Sequence, residues 1–297
     1  MSFSKVSVVK CSGEERRTAM GRLIHLLGLP ETAERIAIKL NLCDYRKWET
    51  GATSDPKVVG ALLEVLRARY PHAKIFLCEN DSTDTLVENL WGYLGIDAVA
   101  ARYDAKCISL SKEAWTQVPI RGLRCSGLEV PALFQECDLF INHPKLKTHG
   151  KTRITCGLKN LFGCYRRKDK RPLHHYLDEA IVDINMAVRP HFVIVDADLC
   201  VEGNRGPTQG LPKKVELFIG GQDSVAVDAF CARLMGFWPY AIGHLRKAMR
   251  AGLGSFAYRL TGDLGPECIR AYRFQFSLSK FLFMGIVRRL LSWSEAR

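Results

Sequence analysis

The 297-residue sequence lacks most of the short motifs that assign a chemistry at sight. No GxGxxG opens a strand-to-helix turn, and no glycine run is followed by the Lys-Ser/Thr of a P-loop. Gly203-Asn204-Arg205-Gly206-Pro207 fits neither pattern and reads as a tight loop. GxSxG and HExxH are missing too, so two common hydrolase signatures are excluded. The eleven cysteines contain no CxxC or CxxxC spacing, which argues against zinc ribbons and against a 4Fe-4S cluster held by this chain. Scattered cysteines of this kind serve as small buried hydrophobes in a reducing compartment. No apolar run has the length of a membrane span, and no leader pattern opens the chain, so the expected location is cytoplasmic.

Acid is also scarce, with 31 Asp and Glu against 43 Lys and Arg, and the deficit is concentrated. Residues 142–171, NHPKLKTHGKTRITCGLKNLFGCYRRKDKR, hold ten Lys and Arg against one acid, Asp169: a formal +9 of the chain's +12. A local anion site explains that better than a cationic surface all round. The hydrophobic fraction of 47% and unremarkable glycine and proline contents describe a chain able to bury a full core.

Patterning predicts alternating strands and helices. Lys5–Val9 reads as a strand, followed by a helix through Leu27; Arg35–Asn41 alternates, with Lys39 and Asn41 on one face. Ser54 or Asp55 with Pro56 caps a helix carrying Val58, Val59, Leu62, Leu63 and Leu66. Ile75–Cys78 is a strand ending in Glu79-Asn80, and a helix is expected over Thr83–Leu94. A weaker stretch with a hairpin near Gly127 precedes the strand Asp138–Asn142. Helices are expected over Thr152–Gly163, Leu173–Val188, Asp223–Met235 and Ala241–Ala251, and strands at Phe192–Val195 and Val215–Gly220, with a loop over Val201–Pro212. The implied fold class is α/β: a mostly parallel sheet in Rossmann-like layers, helices on both faces, with two lobes around a cleft as the finer expectation.

Four strands end in polar residues: Asn41, Glu79-Asn80, Asn142, and Asp196 with Asp198. Ligands of open α/β sheets sit beyond such carboxyl ends. The basic stretch would bring Lys145, Lys147, His149 and Lys159 to the same place, and a helix N-terminus near Thr152 would add backbone donors. On the expected helix, Thr152, Thr155, Cys156, Lys159 and Asn160 share the polar face. His149 is the acid/base candidate because imidazole titrates near neutrality, and clustered lysines make Lys147 or Lys159 a usable base. Lys39, Asn41, Lys145, Thr152, Thr155 and Asn160 are the expected substrate-binding residues. Asp196, Glu202 and Asp228 offer oxygen to a divalent metal. Asp223 reads as a helix cap, and Arg166–Arg171 as a solvated loop tip. His143, His149, His174 and His175 could ligate a metal only if the loop folds back, and Cys156 activated by Lys159 is a lesser nucleophile candidate.

The run INHPKLKTHGKTRITCGLKNLFGC resembles the central signature of the DUF362 family, a KxKTH segment followed by Thr and Lys-Asn-x-x-Gly. In order, IAIKLNL, SDPKVVGALLEVL, IVDADLCVEGNRGPTQG and GGQDSVAVDAFCARLMG resemble further segments of that family, so the likeness runs from about Val6 to Gly265. It implies an α/β protein in which Lys39, Asn41, Lys145, Lys147, His149, Lys159, Asn160, Asp196, Glu202 and Asp228 stand at pattern positions. Leu40 replaces the usual Pro. Many members carry a ferredoxin-like module binding 4Fe-4S clusters, whose CxxCxxC run this chain does not have. A fainter similarity points to nickel-dependent lactate racemases. The expected organisation is one DUF362-like domain over 1–265, divisible at 137/138 into lobes, and an amphipathic extension over 266–297.

The leading expectation is an enzyme of oxidoreductase or isomerase type, moving a proton or hydride on a small anionic metabolite, carboxylate or phosphate. The alternative is a redox or metal-handling protein working with an iron-sulfur partner protein. Nucleic-acid binding ranks last, since Phe162 and Tyr165 alone could stack bases in the basic stretch. The C-terminal segment Phe276–Trp293, with Phe281, Leu282, Leu290, Leu291 and Trp293 beside Arg288 and Arg289, packs on the body or a partner, or makes peripheral contact with a membrane.

Overall fold

Short strands alternating with helices as far as Ser109 open the chain in a computed structural model that describes residues 3–12, 15–204, 209–265, 269 and 272–276. Strand β1 (Ser4–Lys10) leads into α1 (Arg16–Leu27), which buries Met20, Leu23, Ile24 and Leu27 at helical spacing and stops at left-handed Gly28. After β2 (Arg35–Lys39), Asp55 accepts the Lys57 N–H and Pro56 opens α2 (Pro56–Arg69), as the sequence predicts. Next come β3 (Lys74–Glu79), the short helices α3 (Glu88–Tyr93) and α4 (Ile96–Arg102), and β4 (Ala105–Ser109). The helix expected over Thr83–Leu94 therefore starts late. A turn joining Ser82 to Thr85 and the Val87 N–H bond to Asp81 hold residues 82–87 out of it.

The hairpin β5 (Trp115–Pro119) and β6 (Gly127–Pro131) is followed by α5 (Leu133–Glu136) and β7 (Leu139–Asn142). Pro144, which has no N–H to give, separates β7 from β8 (Lys145–His149). Then follow β9 (Arg153–Thr155), α6 (Gly157–Asn160), α7 (Leu177–Ala187), β10 (Phe192–Glu202), β11 (Leu211–Gly221), α8 (Ser224–Leu234), α9 (Gly243–Arg250) and β12 (Tyr258–Gly262). β10 and β11 take up both ends of the loop expected over Val201–Pro212, Val201-Glu202 and Leu211-Pro212, pairing antiparallel from Val193/Gly221 to Glu202/Leu211. Asp223 caps α8 through the Val225 and Ala226 N–H groups.

The result is an α/β fold on one large mixed sheet of order β12-β1-β11-β10-β7-β2-β3-β4. From β10 to β4 every pairing is parallel; β11 runs against both β1 and β10. Strands buried on both faces read as continuous apolar runs, and β10 shows why: Val193 and Val195 enter one core with α7, α8 and α9, while Phe192 and Ile194 enter the other with α1 and α2. No helix of the described residues is long and apolar enough to cross a membrane. Beyond residue 276 the C-terminal segment lies outside the described residues, as do residues 205–208.

One expectation is overturned at the centre. The helix expected over Thr152–Gly163 is a strand, β9, pairing antiparallel with β8, then a single turn, α6, and a 3-10 turn Leu161–Cys164. Local apolar spacing permits either form, but Arg153 has φ 66°, outside a right-handed helix, and the ladder to β8 fixes the backbone through Thr155. Helix then starts where Asp228 of α8 accepts the Gly157 and Leu158 N–H groups, at 2.7 and 3.0 Å. A Cβ at Gly157 would lie 2.9 Å from Asp228 Oδ1 and 3.1 Å from Val193 Cγ1. Gly157→Ala is therefore expected to destabilise the protein by about 1–3 kcal/mol, read as a lower urea midpoint. An unchanged midpoint would mean that the contact relaxes freely.

Candidate functional site

A cavity of about 240 Å3 opens at the carboxyl ends of β2 and β3, against β8, β9 and α6. β2 and the residues after it contribute Lys39, Asn41 and Cys43, which alternate toward it with the period of an extended chain. Glu79 and Asn80 end β3, Lys147 and His149 lie on β8, Thr155 on β9, and Lys159 and Asn160 on α6. These residues, separated by up to 121 positions in sequence, meet because parallel strands deliver their ends to one edge of the sheet.

Two of the lysines are occupied by the protein itself. Lys39 Nζ sits 2.5 Å from Glu79 Oε1 and 2.8 Å from the Leu40 carbonyl, while Glu79 accepts the Leu42 and Asn80 N–H groups, both at 2.9 Å. Both side chains of this ion pair are buried. Lys147 Nζ donates to Asn41 Oδ1 (2.6 Å) and to the Ala52 carbonyl (2.7 Å), and lies 3.1 Å from Cys43 Sγ. Gly51 makes that carbonyl available: at φ 74° it packs on the Cys200 carbonyl, where any Cβ would overlap. Burial pushes the Lys147 ammonium below the ordinary lysine range. Behind the cavity an amide chain ties three elements together. Asn41 Nδ2 donates to Asn160 Oδ1 (2.9 Å), Asn160 Nδ2 to Asn142 Oδ1 (2.7 Å), and Asn142 Nδ2 to the Gly157 carbonyl (2.8 Å).

Lys159 differs from both. Among the described residues it has neither carboxylate nor hydrogen-bond partner, and its Nζ lies 4.2 Å from the Phe162 ring centroid. Burial first, with added repulsion from Lys147, Lys170 and Lys151, pushes it down to about 7. His149 does not have the neutral-range imidazole expected of it. Its Nδ1 accepts the Lys151 and Thr152 N–H groups, both at 3.1 Å, leaving the proton on Nε2. Burial, then the charges of Lys159 and Lys147, hold it well below the usual histidine range. It is a neutral donor at physiological pH, and the free amine of Lys159 is the better base. Thr155 Oγ1, 5% exposed as a residue, has no hydrogen-bond partner among the described residues.

Other expected site residues lie elsewhere. Lys145 is fully buried off the cavity, 2.9 Å from Asp196 Oδ2, because it pairs in register with Asp196 on β10. Thr152 turns its hydroxyl to the Ile154 carbonyl. Cys156 is buried in the core, where burial pushes its thiol far up, so it is not an activated nucleophile. The three carboxylates expected to hold metal serve three separate contacts: Asp196 on Lys145, Glu202 on the Gln275 N–H (2.8 Å) and Lys213, and Asp228 on α6. Burial lifts the Asp228 carboxyl to about 6. Among the described residues no three His, Cys, Asp or Glu side chains form a metal-holding group. His143 is buried against the Ile194 carbonyl, whereas His174 and His175 are exposed. The helix N-terminus expected to bind an anion begins at Gly157, not Thr152, and Asp228 fills it.

Lys170 departs from the solvated tip expected over Arg166–Arg171. Arg166–Asp169 and Arg171 are indeed exposed, but Lys170 turns into the cavity wall and donates to the Asp81 carbonyl at 3.0 Å. Nothing in the local run Arg166–Arg171 distinguishes it. Cys43 was legible, two residues beyond Asn41 on the same extended face.

Residues 36–233 match the family model described as Domain of unknown function (DUF362). This chain belongs to the DUF362 family. The match begins inside β2 and ends in α8, so every cavity residue named above lies within it. A curated relative, "Thylakoid-associated protein sll1697" of Synechocystis sp., is 34% identical over 136 residues, covering 43% of this chain. The chain spans only 42% of that relative's length. The expected cytoplasmic location does not stand beside it, since that relative's description associates it with the thylakoid. The structure of the lactate racemase apoprotein from Thermoanaerobacterium thermosaccharolyticum is similar with a TM-score of 0.47 and 15% identity, over 78% of this chain and 57% of that one. That likeness is too slight to bear on function.

The Lys39–Glu79 pair makes a prediction. Lys39→Met leaves a buried carboxylate without its cation and is expected to cost about 3–5 kcal/mol in urea unfolding, with Lys39→Met/Glu79→Leu recovering part of it. A cost below about 1 kcal/mol would mean the pair is solvated.

Proposed function

We propose that this DUF362 protein is an enzyme that binds a small carboxylate or phosphate in the cavity and moves a proton on it. The observation that carries the reading is Lys159: an ammonium without a carboxylate partner, beside Lys147 and Lys170, at the strand ends. Lys39 and Lys145 are neutralised by Glu79 and Asp196, but among the described residues no carboxylate lies within ion-pair distance of Lys147 or Lys159. An added anion supplies the missing charge. The cavity falls below the roughly 300–1,000 Å3 typical of drug-sized ligand sites, which favours a metabolite of few heavy atoms.

Proton transfer suits the groups present better than hydride transfer. Lys159, poised at about 7, can take a proton from carbon, and the His149 Nε2–H can donate to the oxygen on which charge then develops. The redox or metal-handling reading gains nothing from Asp196, Glu202 and Asp228, each bonded within the chain.

Titration calorimetry with malonate and inorganic phosphate tests the binding. Because an anion favours the protonated ammonium, affinity is expected to fall as pH rises through about 7. Lys159→Arg should bind without that pH step, and Lys159→Met should bind roughly tenfold more weakly. No binding of either anion, or binding indifferent to Lys159→Met, would sink the proposal.

A second reading concerns location. Trp238, 69% exposed, and Tyr240 lie side by side, 5.5 Å between ring centroids, next to α9 with its Arg246, Lys247 and Arg250. Exposed aromatics among cations suit the interface of an anionic membrane. The thylakoid-associated relative and the Arg-flanked apolar residues after 276 support peripheral membrane contact. The protein should co-sediment with phosphatidylglycerol vesicles and not with phosphatidylcholine vesicles, and Trp238→Ala/Tyr240→Ala should reduce the bound fraction severalfold. Equal recovery with both vesicle types would remove this reading.

A further inference from the structure

We propose that Lys159 captures its ligand covalently, as an imine, and that the ligand class is a short 2-oxo acid. The inference rests on the reading that the cavity takes a small anion, and it adds the carbonyl. Four lysines line the cavity. Three already donate to the protein: Lys39 to Glu79 and the Leu40 carbonyl, Lys147 to Asn41 and the Ala52 carbonyl, Lys170 to the Asp81 carbonyl. Lys159 alone donates to nothing among the described residues, and Phe162 forms the apolar floor beneath its Nζ. An amine held among cations, over a ring face, with no acceptor to hold its protons among the described residues, is placed as a nucleophile. Its position at about 7 fits the same role.

Two further groups suit a carbonyl. Thr155 lines the wall with its residue 95% buried, and its Oγ1 has no hydrogen-bond partner among the described residues, which is costly unless a ligand completes it. The His149 Nε2–H is the free end of an imidazole whose Nδ1 is fully used. Lys147 and Lys170 supply charge for a carboxylate next to the carbonyl carbon.

The step balances without an oxidant or reductant. The Lys159 lone pair forms a C–N bond to the carbonyl carbon, and the π pair moves to the carbonyl oxygen. One amine proton passes to that oxygen, with Thr155 Oγ1 and the His149 Nε2–H positioned to hydrogen-bond it, giving the carbinolamine. Loss of the remaining amine proton and of hydroxide, together one water, leaves the C=N bond. The imine then acidifies the adjacent C–H; with the Lys159 nitrogen held in the C=N bond, that proton passes to water, so in the covalent route Lys159 is the electron sink and not the base.

The test uses pyruvate with sodium cyanoborohydride at neutral pH on the full chain, read by intact mass and peptide mapping. One reduced adduct per chain is expected, with occupancy at Lys159 at least tenfold above that at Lys168 on the exposed tip, and no adduct in folded Lys159→Arg. The wild-type map alone decides the matter if that variant does not fold. No adduct, or labelling spread evenly over lysines, overturns the imine. Malonate, which cannot condense, separates the two readings. Malonate binding without pyruvate trapping removes the imine and leaves the anion site, whereas loss of both removes both.

Discussion

The Asp228 carboxylate, gripping the N–H groups of Gly157 and Leu158, holds the site in place. Helix α6 spans four residues, too few to hold itself by its own hydrogen bonds, so its position comes from outside. A buried carboxylate without a cation is expensive, and burial raises its pKa; two backbone donors at a helix start are what offset that cost. Because α8 is packed into the core through Val225, Phe230 and Leu234, the grip transmits the position of the sheet to Lys159 and Asn160. It also removes the helix N-terminus as a ligand site, leaving external anions to the side chains.

The charge concentration looks different once each cation is followed to its partner. Lys145 and Lys39 are neutralised in buried pairs, Lys147 is held by an amide and a carbonyl, and Arg171 pairs with Asp169 at 2.9 Å on the exposed tip. A fully buried ammonium persists only where such partners replace water. Among the described residues, what the protein leaves without a hydrogen-bonding or ionic partner at the cavity is small: the Lys159 ammonium and the Thr155 hydroxyl, beside Lys147, Lys170 and His149. Within the basic stretch, Lys145 and Lys147 are held by the protein, while Arg166, Arg167 and Lys168 stay exposed on the tip.

The family pattern residues thus fall into two kinds. Asp228, Asn160, Lys145 and Asp196 build: they cap, bridge or pair, and their side chains are buried. Lys159, His149 and Lys147 face the cavity. Glu202 belongs to the first kind, tying the end of β10 to Gln275 and Lys213. A motif match cannot tell these apart, because a carboxylate that holds a backbone and one that holds a metal are the same residue in a string.

The sequence by itself determined the layers, the caps at Asp55 and Asp223, and the convergence of Asn41, Glu79 and Asn80 at the strand ends. These follow from period, turn chemistry and the rule that parallel strands end together, all local or nearly so. It did not determine that Arg153–Thr155 is strand, that Lys145 and Asp196 cancel, that Lys170 turns inward, or that His149 is neutral. Only the tertiary structure decided those. Each depends on a partner far away in the chain: β8 against β9 and β10, Asp81 near Lys170, and the surrounding lysines that, with burial, set the titration of His149. Electrostatic state is set by desolvation and by neighbours in space, and neither is a property of a residue's place in the chain.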